Sequence, residues 1–549
     1  MKLQKIQIGE KEVMPFGIPS GCAVTSEKCL ESVLGHADNA IGFADSKSYG
    51  KEPRVVPERD EVEHPIEGKE YAYRESILTQ YIPGGFLNAV GLSNPGADEG
   101  ARRLSRIHVP KNKAVIGSVY GRDLEEFKYV ASRIAPHVDA IEANESCPHV
   151  KGHGMVLCDD LDFIRALPSA VKSVISGKPF YVKLPPLPNI AKIAQVSIEG
   201  GADGIVLINT ERAYSSILSN GNCGISGIGI RPLGVRCTRD VRQAVGEKVL
   251  IIAGGGIETG EHALEYFNAG ANAVTIGSGF AGMTEAEILT HSDNVIYDIE
   301  NGTDKSRYSV KRIDMSYRKF RIEEIVNPDC DFKVIRTNQE LEAKPGQFVF
   351  AYIPGVGEKP FSIMDDNPLT LGVLERGYFT RRFNFLKKGD EFYVRGPHGQ
   401  GVEVPDNSNV VLVGGGCGIA GLYLLAKRLS EKANVISLLG AKDREHLPYI
   451  ERFSRFGDVR VVTEDEGYGR KGTVVDLLRE DIPSGSCFFN CGPRAMIEAV
   501  LPLERNYSSD NKIYSSVDYM TRCGVGICGS CADNHGRRTC VEGPFMSLS

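Results

Sequence analysis

Phe180-Tyr-Val-Lys183-Leu-Pro-Pro-Leu-Pro-Asn-Ile190-Ala-Lys-Ile-Ala-Gln-Val-Ser-Ile-Glu199-Gly-Gly-Ala-Asp-Gly204-Ile-Val-Leu-Ile208-Asn209-Thr210 decides the reading of the first half of this chain. The run Phe180–Lys183 is short, apolar and β-rich, and a lysine ends it. Ile190–Glu199 repeats its apolar residues at helical spacing, and Gly204–Ile208 is a second apolar run that stops at Asn209-Thr210. Strand, helix, strand is a parallel β/α unit, because parallel strands need a long crossover between them.

The same unit recurs on both sides. Ala114–Ser118, Ala140–Ala143, Val249–Ala253 and Ala273–Ile276 read as strands, and Leu124–Ile134, Leu161–Ile175 and Arg239–Val245 as helices. The number of units, and the glycines just past the strand ends, favour a closed (β/α)8 barrel over an open sheet. Chemistry in such a barrel sits at the C-terminal ends of its strands.

The register changes near the polar stretch Asn301–Lys311, which reads as a linker. From Arg321 to about Val404 short strands alternate with Pro and Gly turns, as in a small antiparallel β-barrel. An α/β block follows from Asn409 to about Leu503, and the tail from Ile513 is rich in Cys and Gly. The expected domains are 1–303, 308–405, 406–507 and 508–549. The class is α/β: a TIM barrel, then a β-barrel plus α/β nucleotide module, then a small cysteine domain.

The composition of the 549 residues is that of a folded soluble protein, 42% apolar and 25% charged. A net charge of −7 gives no footprint for nucleic acid. The N-terminus, Met1 to Val13, has no apolar signal core, and no apolar run reaches the ~18 residues of a membrane helix. The expectation is a cytoplasmic enzyme with neither a membrane nor a nucleic acid as partner.

Of 14 cysteines, four lie in the tail. Cys523-Gly-Val-Gly-Ile-Cys528-Gly-Ser-Cys531, with Cys540 beyond, is C-x4-C-x2-C…C. That is the plant-type spacing for a [2Fe–2S] cluster held by four thiolates. Zinc usually takes two C-x2-C pairs, so the spacing argues against it.

Val410-Val-Leu-Val-Gly414-Gly415-Gly416-Cys417-Gly418 is a strand and a glycine turn entering a helix, a turn that lets a pyrophosphate approach the backbone. Asn490-Cys491-Gly492-Pro493 is a second strand-end turn. Upstream lie Lys359-Pro360-Phe361-Ser362 and Gly396-Pro397-His398-Gly399.

These pieces resemble the ferredoxin-reductase-like flavoproteins, whose Arg-x-aromatic-Ser motif binds FAD; here Lys359 replaces the arginine. The resemblance implies FAD contacts from Lys359, Pro360, Phe361, Ser362, Gly377 and Thr380. It implies a nicotinamide nucleotide near Gly414, Gly415, Gly416, Gly418, Cys491 and Gly492. With the cysteine tail, about Tyr308 to Ser549 resembles the electron-transfer subunit of NAD-linked dihydroorotate dehydrogenases.

In the barrel, Asn88, Asn144, Lys183 and Asn209-Thr210 fall at strand ends, with Ser146-Cys147-Pro148-His149 after Asn144. Asparagine offers both a donor and an acceptor, which suits a pyrimidine edge, although it also caps helices. Gly224 to Gly227, Gly254 to Gly256 and Gly277-Ser278-Gly279 look like backbone phosphate cradles.

About Met1 to Tyr297 resembles the soluble, cysteine-using dihydroorotate dehydrogenases. The resemblance implies FMN over the barrel mouth, held by Ser20, Gly21, Lys47, Lys183, Gly227, Gly255, Gly256, Gly277 and Ser278. It gives the pyrimidine to Asn88, Asn144, His149, Asn209 and Thr210. Cys147 becomes the general base, and a thiol of ordinary pKa about 8.5 suits that task. A barrel homodimer is implied as well.

His149 stands where the family has an Asn, Glu145 takes an apolar position, and Lys51–Gln80 is long and charged. Ser-Cys-Pro-His also resembles the pyrimidine-reducing domain of dihydropyrimidine dehydrogenases. The expected function is oxidation of dihydroorotate to orotate in pyrimidine biosynthesis, electrons passing from FMN through [2Fe–2S] and FAD to NAD+. NAD(P)H-dependent uracil or thymine reduction is the alternative. An NADH-oxidising electron-transfer protein with a non-catalytic barrel ranks below both. NAD against NADP stays open.

Overall fold

The computed structural model describes residues 1–55, 59–61, 73–75, 77–144, 160–218, 221–302, 307–308, 314–404, 406–516 and 520–547. The chain forms two compact units. The first comprises 1–58, 77–313 and 525–537, and the second 59–76, 314–524 and 538–549.

The first unit is a closed barrel of eight parallel strands in sequence order. They are β1 Phe16–Ile18, β2 Phe43–Asp45, β3 Ala114–Val119, β4 Ala140–Asn144, β5 Phe180–Leu184, β6 Gly204–Leu207, β7 Leu250–Gly254 and β8 Ala273–Thr275. Closure comes from β8 pairing with β1, Val274 opposite Phe16. One helix follows each strand: α1 Glu27–Leu34, α2 Ala97–Leu104, α3 Leu124–Ile134, α4 Leu161–Lys172, α5 Ile190–Glu199, α6 Arg231–Val245, α7 Gly260–Asn268 and α8 Glu285–Asn301.

Local chemistry sets the helix starts. Asp123 accepts from Glu126 N at the head of α3, and Thr284 with Glu287 forms a capping box on α8. α6 begins at Arg231, well before the Arg239 expected from the sequence. Pro232 lies in its first turn, where its missing N–H costs nothing.

The core fills the N-terminal end of the barrel. Phe43, Ile116, Tyr181, Val206 and Ile252 pack there with Ile8 and Val13 from the hairpin Ile6–Ile8/Lys11–Val13. The hairpin plugs that end and leaves the C-terminal end for a ligand. A four-stranded antiparallel sheet also forms, in the order Glu211–Tyr214, Asn222–Ser226, Gly85–Asn88 and Thr79–Ile82.

The second unit carries a closed six-stranded antiparallel barrel of β9 Arg318–Val326, β10 Phe332–Thr337, β11 Phe348–Ile353, β12 Gly357–Asp366, β13 Leu369–Leu374 and β14 Glu391–His398. The order is β9-β10-β13-β12-β11-β14. A seven-stranded sheet follows: β15 Asn409–Gly415, β16 Asn434–Ala441, β17 Asp458–Thr463, β18 Arg470–Lys471, β19 Cys487–Cys491, β20 Ile513–Ser516 and β21 Phe545–Ser547. Its strands are parallel except β21, which runs antiparallel to β20. Three helices matter below: α9 Tyr378–Asn384, α10 Ile419–Leu429 and α11 Arg494–Glu504.

The small barrel holds a buried ion pair. Arg395 on β14 meets Glu358 on β12 with both fork arms, Nη2 to Oε1 at 2.6 Å and Nε to Oε2 at 2.7 Å. Tyr317 Oη donates to the same carboxylate at 2.6 Å, and Arg395 Nη1 donates to Cys523 O at 3.0 Å. The two side chains are 1% and 2% exposed, so removing one partner strands a charge out of water. Arg395→Met should cost about 3–5 kcal/mol on that ground. Arg395→Met with Glu358→Leu should recover much of the loss. Denaturant unfolding of the three proteins checks this, and a single variant as stable as the parent would contradict it.

Candidate active site

A cavity opens at the C-terminal ends of the barrel strands, with about 1340 Å³ of atom-free space including its open mouth. Ser20, Gly21, Lys47, Asn88, Asn144, Lys183, Asn209, Thr210, Gly227, Gly255, Gly256, Gly277 and Ser278 all line it. Cys147 and His149 lie outside the described residues, as does Glu145.

One wall is bare backbone. A methyl on Gly256 would lie 2.5 Å from Gly227 O, and one on Gly227 would lie 2.4 Å from Gly85 Cα. Both residues have positive φ, 71° and 108°. Only glycine fits there, and the result is a side-chain-free turn beside the ends of β7 and β8, of the kind that takes a phosphate.

The floor is charged. Lys183 Nζ lies 3.4 Å from Glu142 Oε1 and 3.5 Å from Asp45 Oδ2, with all three side chains buried. Burial alone would lower the Lys183 pKa, but Glu142 and Asp45 outweigh it and raise the value, so the ammonium is kept. Burial, then the charge of Glu142, lifts Asp45 well above the ordinary carboxylate range against the pull of Lys183. The cluster therefore favours the ammonium of Lys183 and the protonated form of Asp45. Burial also lowers the Lys47 pKa.

A hydroxyl chain runs from this cluster to the amides. Ser118 Oγ donates to Glu142 Oε1 at 3.1 Å, so it must accept from Ser48 Oγ, 2.8 Å away. Ser48 in turn accepts from Asn144 Nδ2 at 3.0 Å and from Ser20 Oγ at 3.1 Å. The carboxylate thus sets the direction of every bond and fixes which end of the Asn144 amide is nitrogen. Asn144 Oδ1 accepts from Asn209 Nδ2 at 3.4 Å, and Asn209 Oδ1 accepts from Thr210 N at 2.7 Å. Asn88 Nδ2 donates to Gly224 O at 3.3 Å.

In the second unit the two nucleotide turns meet. A methyl on Gly418 would lie 2.2 Å from Cys491 O, and Gly415 and Gly492 both pack on Met496. A methyl on Gly421 of α10 would touch Ser362 Oγ at 3.2 Å and the Cys491 sulfur at 3.4 Å. Hydroxyl, thiol and glycine backbone thus converge where β12 meets the ends of β15 and β19. Gly414 ends β15 with Gly415, and Gly416 begins the turn into α10. Lys359 and Pro360 precede Phe361 on β12, and the Phe361 ring packs on Phe379 and Phe383 of α9. Thr380 Oγ1 accepts from Gly377 N at 3.0 Å.

Cys523, Cys528, Cys531 and Cys540 are all buried and free of disulfides. Residues 525–537 pack with the first unit: Gly282 N donates to Val525 O at 2.9 Å and Cys29 Sγ to Gly536 O at 2.6 Å. Ile527 lines the barrel cavity.

Sequence reasoning missed Asp45, Glu142, Ser48 and Ser118. A signal existed for two of them. Glu142 and Asp45 are acids inside apolar strands, where an unpaired charge is not tolerated. The two serines carry no such mark. Ile527 was hidden because nothing local to the tail says what it packs against.

The family described as dihydroorotate dehydrogenase matches residues 78–291. A Thermococcus kodakarensis protein named probable dihydroorotate dehydrogenase B (NAD(+)), electron transfer subunit, is 37% identical over 232 residues, 42% of this chain and 96% of its own length. The Methanocaldococcus jannaschii dihydroorotate dehydrogenase B (NAD(+)), catalytic subunit, is 42% identical over 208 residues, 36% of this chain and 67% of its own. The probable electron transfer subunit of the same organism is 32% identical over 230 residues, 41% of this chain and 88% of its own.

The charge cluster sets a pH dependence. The folded state keeps the Asp45 proton, which the unfolded chain loses above about pH 4. Stability from this group is therefore present at low pH and is lost as pH rises toward the raised folded value. Asp45→Asn should flatten the fall in melting temperature as the pH rises above about 4. Lys183→Met should cost about 3–5 kcal/mol, because it leaves buried acid without a cation. An Asp45→Asn protein with a steeper pH dependence than the parent would refute the assignment.

Proposed function

We infer the reaction from one premise: this chain belongs to the NAD-linked dihydroorotate dehydrogenases, with the catalytic and electron-transfer parts joined in one polypeptide. It oxidises dihydroorotate to orotate and delivers the electrons to NAD+, a step of pyrimidine biosynthesis. The observation that carries the reading is the cavity at the barrel mouth, where amides, a buried ammonium and a glycine-only wall meet.

The residues fit the groups this chemistry needs. The turn at Gly227, Gly255 and Gly256, with Gly277 and Ser278, would take the FMN phosphate, where a Cβ would intrude. Ser20, Gly21, Lys47 and Lys183 would hold the ring. In the second unit Lys359 to Ser362, Gly377 and Thr380 would hold FAD. The turns at Gly414 to Gly418 and at Cys491-Gly492 would take NAD. Four buried, unbridged thiols at plant-type spacing suit a [2Fe–2S] cluster. When bound, the flavins supply hydride acceptance and the cluster one-electron relay.

The chain's own residues do the rest. Asn88, Asn144, Asn209 and Thr210 orient the pyrimidine, the Asn144 amide held in one sense by the hydroxyl chain to Glu142. Cys147 Sγ removes the proton from one ring carbon while the hydride leaves its neighbour. His149 is a further substrate contact. Ile527, between Cys523 and Cys528 in sequence, is part of the cavity wall, which supports a short path from the barrel to the cluster. Resemblance to the family carries the proposal of a cytoplasmic homodimer with neither membrane nor nucleic acid as partner. Among the described residues no helix is long and apolar enough to cross a membrane.

Two experiments test this. Anaerobic mixing with dihydroorotate should bleach the flavin of the parent and not of Cys147→Ala, with Cys147→Ser far slower. Dihydrouracil should do nothing. Bleaching by dihydrouracil alone would move the function to pyrimidine reduction, and bleaching by NADH alone would leave the barrel without its assigned chemistry. In the second experiment, Cys531→Ser should lose iron and the visible cluster absorbance. It should still bleach with dihydroorotate yet fail to reduce NAD+. NAD+ reduction at the parental rate by iron-free protein would exclude the cluster from the path.

A further inference from the structure

Outside the sites above, a cluster of metal-ligating side chains sits within the second unit. Cys330 and Asp331 form the turn just before β10 of the small barrel. His446 lies in the 3-10 turn Arg444–His446 that follows β16 of the nucleotide sheet. One ligand atom from each of the three comes within 4.8 Å of the others. His446 Nε2 is 2.8 Å from Asp331 Oδ1, and Cys330 Sγ is 3.6 Å from the same oxygen.

We propose that Cys330, Asp331 and His446 form a binding site for a divalent ion of the zinc class, joining the small barrel to the nucleotide sheet. The donor set is one thiolate, one imidazole and one carboxylate, which favours Zn2+ over Mg2+ or Ca2+. Bonds of about 2.0–2.3 Å in a tetrahedron separate ligand atoms by about 3.3–3.7 Å. The sulfur is already at that distance from the Asp331 oxygen and within 4.8 Å of the imidazole nitrogen, and the imidazole and carboxylate need to open by about half an ångström.

A second observation is independent of the three ligands. His446 Nδ1 is bonded to Asp443 Oδ1 at 2.6 Å. A carboxylate on the far nitrogen is how metal-bound histidines are commonly oriented, since it fixes the tautomer and aims Nε2 at the ion. Phe332 N donates to Cys330 Sγ at 3.4 Å and helps to fix the sulfur's position. Asn327 Nδ2 donates to Glu445 O at 3.1 Å and ties the same two turns together. Asp331 is 58% exposed and leaves the fourth position to water.

The test uses the full chain, treated with a chelator and then titrated anaerobically with Zn2+ or Co2+. The expected result is one ion per chain that Cys330→Ser and His446→Gln both lose, with Co2+ giving a thiolate charge-transfer band in the near ultraviolet. Asp443→Asn should weaken binding about 10- to 100-fold without removing a ligand. Iron content and flavin spectrum, unchanged in all three variants, show that they fold and separate this site from the cysteine tail. Zinc bound equally by parent and Cys330→Ser would place the ion elsewhere. No binding by the parent would leave His446 and Asp331 as a plain ion pair. Either result overturns the proposal.

Discussion

The site depends on one buried ammonium placed between two acids. Lys183, Asp45 and Glu142 come from three strands, β5, β2 and β4, and meet where the barrel interior turns from apolar to polar. A lysine here with no acid would give up its proton, and two acids with no lysine would both hold theirs. Together they keep one positive and one negative charge at the base of the cavity. Burial and the neighbouring Glu142 charge push Asp45 toward its protonated form. The neighbours β4 and β5 are therefore tied to β2, across the barrel, by electrostatics as well as by their ladders.

The charge also reaches the amides. Glu142 can only accept, so Ser118 must donate to it, and each next hydroxyl is turned the same way. A neutral residue at 142 would let the chain run in either direction, and the Asn144 amide would lose its reason to point one way. Orientation at the substrate end is thus bought by an acid that touches no substrate. Around this polar floor the packing is ordinary: Ile8 and Val13 of the hairpin pack with apolar strand residues at the opposite end of the barrel.

Much of this was legible in the sequence because it is written locally. Strand runs such as Phe180–Lys183, amphipathic helices such as Ile190–Glu199, and glycines after strand ends each declare themselves within a few residues. The eight-fold barrel and the six-stranded barrel follow from such signals. So do the amides and glycines that line the cavity, since strand ends in a barrel converge on one face. What stayed hidden is what only the tertiary arrangement determines. Pro232 reads as a stop unless the first turn of α6 is known to hold it. Ser48 and Ser118 become links only when β2 and β3 stand side by side. Ile225 or Ile527 could equally be core residues on sequence alone, yet only Ile527 lines the cavity.

The last point bears on how the tail works. A motif read from cysteine spacing names four thiolates and says nothing about what the chain between them packs against. Residues 525–537 answer part of that by belonging to the barrel unit, while 538–549 belong to the other. The contacts that hold the first of these segments are backbone contacts: Gly282 N on Val525 O, and Cys29 Sγ on Gly536 O. A methyl on Gly529 or Gly536 would run into Thr25 or the backbone of Cys29, at 2.5 Å and 2.4 Å. The glycines of the tail therefore serve two masters. Gly524 and Gly526 turn the loop at positive φ, and Gly529 and Gly536 let it lie directly on Thr25 and on α1. A longer side chain at either would lift the segment, Ile527 with it, away from the barrel it packs on.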